Sequence, residues 1–120
     1  MHFSIPLTAT KLEGRFWYVE REFTYYIGKD EIESVTVPEG FVSDLASVPR
    51  WLWIIYPPDG TYTEAAVLHD FCCLYATWPI SKTDYIFYEA MGVLKVPKFD
   101  RWIIYHSVRI WHFFNRKAIK

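Results

Sequence analysis

The run RFWYVEREFTYYI, residues 15–27, constrains the fold most, because apolar side chains recur along it at every second position. A period of two places such side chains on one face of a β-strand. The run is also rich in aromatic and β-branched residues, which favour extended backbone. It therefore predicts a strand with one face turned to a core. The residues on that face are Trp17, Val19, Phe23, Tyr25 and Ile27.

A turn and a second strand follow this run. The polar segment GKDE separates it from IESVTV, residues 32–37, and the pair predicts a β-hairpin. The chain then enters VSDLASVPRWLW, which predicts a short helix that ends at YPPDG. Its N-cap and first turn fit the residues Ser47, Val48 and Pro49.

The C-terminal half is predicted to be helical. TYTE, residues 61–64, and SKTD, residues 81–84, have the spacing of capping boxes. The first opens a helix through Tyr75, the second opens a helix that ends near Gly92, and a third helix is expected over residues 99–115. The order of elements predicts an α+β fold, in which a β-hairpin or small antiparallel sheet packs on three or four helices.

Composition limits the class of protein. A chain of 120 residues with 52% hydrophobic residues predicts one folded domain over residues 1–120. No signal peptide is recognised, and the apolar runs are shorter than the ~18 residues of a membrane span. The adjacent Cys72 and Cys73 are expected to be reduced thiols, as in a cytosol. A net charge of -1 argues against general nucleic-acid binding.

Two surface interactions are expected from the apolar residues. Aromatic residues make up 20% of the chain, which is more than a small core readily hides, so an aromatic surface patch for a protein partner is predicted. The C-terminal FFNRKAIK is interpreted as a solvated basic helix end. Peripheral membrane contact is the alternative. It would involve Phe113, Phe114, Arg116 and Lys117.

The segment VLHDFCCLY places reactive groups inside an apolar run. His69 has the chemistry of a general base toward a bound water, and Asp70 that of a ligand to a hard cation such as calcium. Asp84 on the next helix and Asp44 at the end of a strand are carboxylates that could join them. In the alternative interpretation all four are structural, with Asp84 as a helix cap and Asp44 in an Asx-turn.

The cysteines suggest a different chemistry. His69 and Cys73 lie four residues apart and share a helical face, but the apolar surroundings favour a core thiol over a thiolate nucleophile. Zinc is poorly supported, because the chain has no Cys-x-x-Cys pair and because His106 and His112 do not share a helical face. Those two histidines are interpreted as structural or surface groups.

Three segments in order, GFVSDLASVPRWLW, YTEAAVLHDFCCLY and SKTDYIFYEAMGVLKVPKFDRWIIYHSVR, closely resemble the domain-of-unknown-function family numbered thirteen fifty-three, over about residues 40–109. The resemblance implies a bacteriophage or prophage protein, located in the host cytoplasm or the virion, and no reaction. Members tend to carry tyrosine where this chain has Phe71 and Cys73. The matching residues are Asp44, Ser47, Pro49, Arg50, His69, Asp70, Lys82, Asp84, Phe87 and Met91.

A fainter resemblance is to phospholipases of the secreted and parvoviral type. It implies that His69 is the base, that Asp70 binds calcium and that Asp84 orients His69. The glycine-rich calcium loop of those enzymes is missing, and Cys73 replaces their tyrosine.

Two functions are therefore expected. One is a hydrolase of lipid, peptidoglycan or phosphoester bonds, acting with or without a metal ion, with catalytic His69 and Asp84 and metal-binding Asp70 and Asp44. The other is a non-catalytic virion, tail-associated or host-interaction protein in which these residues are structural. The helices that carry His69 and Asp84 are expected to pack as an antiparallel pair, with His69 within hydrogen-bond reach of Asp84 or Asp44.

Overall fold

The computed structural model describes residues 1–14, 16–45, 47–57 and 62–119, with side chains up to residue 115. Some parts of the sequence predictions lie outside these described residues. They are Arg15 of the first strand, Ala46 of VSDLASVPRWLW, the last three residues of YPPDG, Thr61 of the first capping box, and, in FFNRKAIK, the side chains of residues 116–119 and the whole of Lys120. The described residues form an α+β fold, as predicted.

Two antiparallel sheets of three strands each form the N-terminal half of the described chain. One sheet has the order β1-β4-β5 and the other the order β2-β3-β6. The strands are β1 (His2–Phe3), β2 (Ala9–Lys11), β3 (Trp17–Val19), β4 (Phe23–Ile27), β5 (Glu33–Val37) and β6 (Val42–Ser43).

The run expected to be one strand forms β3 and β4, which belong to different sheets. Arg21 explains the break, because its odd position would put a charged side chain on the apolar face, and it is exposed instead. The apolar face itself is confirmed, since Val19, Phe23 and Tyr25 are buried. The predicted hairpin is also confirmed, because β4 pairs with β5 from Phe23 opposite Val37 to Ile27 opposite Glu33.

Three α-helices and one 3-10 helix follow in the described chain. The 3-10 helix spans Arg50–Ile54, α1 spans Thr63–Tyr75, α2 spans Ile80–Val93 and α3 spans Lys98–Ile119. Asn115 interrupts α3, since its φ of -121° and ψ of 19° are not helical. Helix α2 contacts both α1 and α3, and α1 also contacts β5 and β6. Helix α1 therefore lies in the middle of the molecule.

The predicted capping is wrong at Ser81 and at Ser47. Helix α2 begins at Ile80 after Pro79, with no side-chain cap, so Ser81 lies within the first turn. The fixed φ of proline, here -59°, starts the helix without a capping hydroxyl. Tyr62 precedes α1 without a side-chain cap, and Thr61, the cap predicted for this helix, lies outside the described residues. Pro49 likewise precedes the 3-10 helix, so Ser47 is not its cap.

Two further expectations concern the membrane and the cysteines. None of the helices in the described residues has the length and apolar character needed to cross a membrane. Cys72 and Cys73 are reduced and buried, as predicted. Burial raises the pKa of the Cys72 thiol to about 12, so this thiol is protonated at neutral pH.

Candidate active site

His69 lies on the central helix α1, and its side chain is almost fully buried, with 1% exposed. A buried imidazole needs hydrogen-bond partners at its two nitrogens. Nε2 lies 2.7 Å from Oδ1 of Asp84, and Nδ1 lies 3.0 Å from Oγ of Ser47. The ring also stacks on Phe87 at a centroid distance of 4.5 Å. Its position is therefore fixed by both polar and aromatic contacts.

The carboxylate of Asp84 lies at the centre of the site and is hydrogen-bonded to three other side chains. It accepts hydrogen bonds from Nε2 of His69 at 2.7 Å, from Nδ1 of His112 at 2.8 Å and from the guanidinium of Arg109 at 2.8 Å. Burial alone would raise the pKa of Asp84, but the hydrogen bonds from His112 and His69 outweigh it and hold the pKa below its usual range. Asp84 is therefore an ionised acceptor and not a helix cap.

The charge of Asp84 determines the tautomer of His69. A carboxylate can only accept, so Nε2 must carry the proton that it donates to Asp84. Burial lowers the pKa of His69 although Asp84 opposes this, so the ring is neutral at pH 7. Nδ1 of the neutral ring then holds a lone pair, which faces the Ser47 hydroxyl at 3.0 Å.

Asp70, next to His69 in sequence, faces a different set of groups. Its Oδ2 accepts a hydrogen bond from Oγ of Ser43 at 2.7 Å. Burial, together with the nearby charge of Asp44, raises the pKa of Asp70 to about 6. Hydrogen bonds from the side chain and backbone of Ser47 act in the opposite direction. Asp70 thus holds the segment that carries Ser43 and Ser47.

The structure thus brings two of the four predicted site residues into direct contact. His69 and Asp84 are hydrogen-bonded, as predicted for this pair. Asp70 is linked to His69 through Ser47, and Asp44 is half-buried beside Asp70. The catalytic roles of His69 and Asp84 and the metal-binding roles of Asp70 and Asp44 stay predictions.

Three residues of the site were missed as functional candidates, namely Ser47, Arg109 and His112. Of the two interpretations of His112, the surface one is wrong, because the residue is buried on α3 with 1% exposed. Its position could have been found from helical spacing, since Ile104, Val108 and His112 recur every four residues and are all buried. His106, in contrast, is exposed.

His69, Cys73 and His112 form a second grouping in the described chain, in which one potential metal-ligand atom from each lies within 4.8 Å of the others. The two imidazole rings are stacked, 13° from parallel with centroids 5.4 Å apart. Lone pairs of imidazole nitrogens lie in the ring plane, so parallel rings do not converge on one ion. Both nitrogens of His69 are also engaged by Asp84 and Ser47. This grouping fits an ion less well than it fits a hydrogen-bond network.

Comparison with known proteins identifies one family. The sequence model of the family described as "Protein of unknown function (DUF1353)" matches residues 17–108, which is more than half of the chain. No curated protein and no solved structure matches the chain significantly.

Proposed function

The chain belongs to this family of proteins of unknown function, and we propose that it is a hydrolase whose general base is His69. The observation that carries the proposal is the 2.7 Å hydrogen bond between Nε2 of His69 and Oδ1 of Asp84. Because Nε2 carries the proton donated to Asp84, the lone pair of the ring is on Nδ1, and a general base needs such a lone pair to accept a proton. The lowered pKa of His69 keeps that lone pair available at neutral pH.

Asp84 and its other partners would support the proton transfer. When Nδ1 takes a proton, the imidazolium that forms is stabilised by the adjacent carboxylate. Arg109 and His112 hold that carboxylate in place from helix α3. The ring therefore keeps its orientation while its charge changes, which is the role proposed for Asp84.

The proposed substrates contain lipid ester, peptidoglycan or phosphoester bonds. A calcium or similar cation at Asp70 and Asp44 is part of the same proposal, as a group that would polarise the substrate. The sequence motifs support a phage or prophage origin, with action in the host cytoplasm or the virion.

A panel of these three substrate types, assayed with the parent and with His69→Asn, tests the proposal. We expect hydrolysis by the parent and a loss of about 100-fold or more in the variant, because general-base catalysis contributes on this scale. His106→Asn is the matched control, since His106 is exposed on α3. A parent that is inactive on every substrate, or a variant as active as the parent, would contradict the proposal.

A non-catalytic role in binding a partner is the second candidate, and one observation favours it. Helix α3 carries exposed apolar side chains on one face, at Phe99, Trp102, Ile110 and Phe113. Such a stripe is unusual on a monomer and suits a virion, tail or host protein as partner. In this case His69→Asn and Asp70→Asn would each lower the free energy of unfolding by roughly 1–3 kcal/mol, and no substrate would be hydrolysed.

A further inference from the structure

Among the described residues, Ser47 carries the nucleophilic group nearest to the lone pair of His69. Its Oγ lies 3.0 Å from Nδ1, which is hydrogen-bond distance for a base and the hydroxyl that it deprotonates. The sulfur of Cys73 is 4.0 Å from the same nitrogen, and it sits at the side of the ring toward Nε2, at 3.7 Å. The geometry therefore pairs the base with the serine.

The exposed fraction rises along the hydrogen-bonded series Asp84, His69 and Ser47. Asp84 is 0% exposed, His69 is 1% exposed and Ser47 is 6% exposed. All three residues are thus buried, and Ser47 has the largest exposed fraction of the three. A nucleophile has to meet substrate, whereas the group that orients the base does not, so this order suits catalysis.

The backbone is strained at Leu45, close to Ser47. Leu45, two residues before it, has a φ of +58°, which costs a residue with a side chain energy. A hydrogen bond of 3.1 Å from the amide of Val48 to the carbonyl of Leu45 closes a tight turn around Ser47. Strained turns of this kind are found where a side chain must be held in a set direction at a functional site.

We infer that Ser47 is the nucleophile of the proposed hydrolase and that its substrates are acyl compounds, either carboxylic esters or amides. This inference rests on the proposed function. Oγ of Ser47 bonds to the acyl carbon as its proton passes to Nδ1 of His69, and the bond to the leaving group breaks as that proton passes to the leaving group. Water, deprotonated by His69, then attacks the acyl carbon and releases Ser47, which regains its proton from His69.

Asp70 is a second acceptor near the Ser47 hydroxyl. A hydroxyl has a single proton, so it cannot be donated to Asp70 and His69 at the same time. The inference assigns Asp70 to positioning, because its hydrogen bonds with the side chain of Ser43 and the backbone of Ser47 hold the turn, and it assigns proton transfer to His69. Variants of the two residues separate these roles.

A fluorophosphonate probe tests the inference without knowledge of the natural substrate. Oγ of a serine nucleophile bonds to phosphorus, the phosphorus–fluorine bond breaks, fluoride leaves and the base takes the proton. We expect one adduct in the intact mass of the parent protein, mapped to Ser47 by peptide sequencing. The rate of labelling should fall about 100-fold in His69→Asn. In Asp70→Asn it should fall less, because the base is intact.

Ser47→Ala should give no adduct, while Ser107→Ala, at another buried serine, should label like the parent. Circular dichroism establishes whether each variant is folded. If Ser47→Ala does not fold, the adduct mapped in the parent protein still tests the inference. No adduct, an adduct elsewhere, or labelling unaffected by His69→Asn overturns the inference. Substrate hydrolysis that survives in Ser47→Ala but is lost in His69→Asn overturns it too, and leaves the proposed function in place with water as nucleophile.

Discussion

Two buried carboxyl groups show how strongly individual surroundings decide a charge in this protein. Asp84 has three N–H donors, and their hydrogen bonds keep it ionised. Glu64, at the start of α1, is also buried, but its Oε2 has no hydrogen-bond partner among the described residues. Burial raises the pKa of Glu64 to about 7. An ionised carboxylate is therefore stabilised by its surroundings at Asp84 and destabilised by them at Glu64.

Glu64→Gln should stabilise the protein at pH 8. Because the pKa of Glu64 is raised from 4.5 to about 7 on folding, the folded state holds this proton more tightly, and the free energy of unfolding falls as pH rises from 4.5 to 7. Glutamine has no charge to bury, so we expect a gain of about 3 kcal/mol at pH 8 that disappears below pH 4.5. Urea unfolding at several pH values measures it.

The exposed Glu22→Gln serves as the control and should change stability little at any pH. A gain in Glu64→Gln that is the same at pH 4 and pH 8 would show that the charge of Glu64 is not the cause.

At the scale of elements, the end of α2 shows a standard motif with an unfavourable residue. The amide of Lys95 donates to the carbonyl of Gly92, and that of Val96 donates to the carbonyl of Met91, both at 3.0 Å. This is the Schellman pattern, which calls for a left-handed residue, and Lys95 accordingly has a φ of +65°. Glycine is the residue best suited to that conformation.

Lys95→Gly should therefore raise the free energy of unfolding by about 0.5–1 kcal/mol, after the extra chain entropy of glycine in the unfolded state is subtracted. Lys95 is exposed, so no packing is lost. Thermal unfolding beside Lys95→Ala measures the effect. Since alanine keeps the strained Cβ, an equal gain in both variants would rule out backbone strain as the cause.

The elements were predictable where a periodic pattern was decisive, and less so where hydrogen bonds between distant residues decided the outcome. The alternation from Trp17 to Ile27 identified a buried face, but a local pattern cannot reveal that the chain changes sheets between β3 and β4. SKTD has the letters of a capping box, yet Asp84 turns inward because His69, His112 and Arg109 offer it better partners. Two of those partners lie on α3, so sequence spacing near Asp84 could not show them.

For the molecule as a whole, the cation predicted at Asp70 and Asp44 should appear as a change in melting temperature. An ion that binds only the folded chain stabilises it by mass action. Burial raises the pKa of Asp70 to about 6, so binding should weaken as pH falls below 6 and protons compete for the carboxylate. We expect millimolar calcium to raise the melting temperature of the parent at pH 7.5, but not that of Asp70→Asn.

Magnesium, manganese and a chelator complete this series, and Asp30→Asn, at an exposed position, is the control. A melting temperature that does not respond to any of the three ions would remove the cation from the proposed function and leave hydrolysis through His69 without a metal.

The arrangement around Asp84 also has a consequence for how the protein matures during synthesis. His69 comes from α1, Asp84 from α2, and Arg109 and His112 from α3, which follows the other two helices in the chain. A nascent chain that has made only the first two helices holds a charged carboxylate lacking two of its three donors. Burying that carboxylate before α3 has packed is energetically unfavourable, so the hydrogen-bond network around Asp84 forms only after α3 has docked. The hydrogen-bond network around Asp84 is therefore complete only when all three helices have packed together.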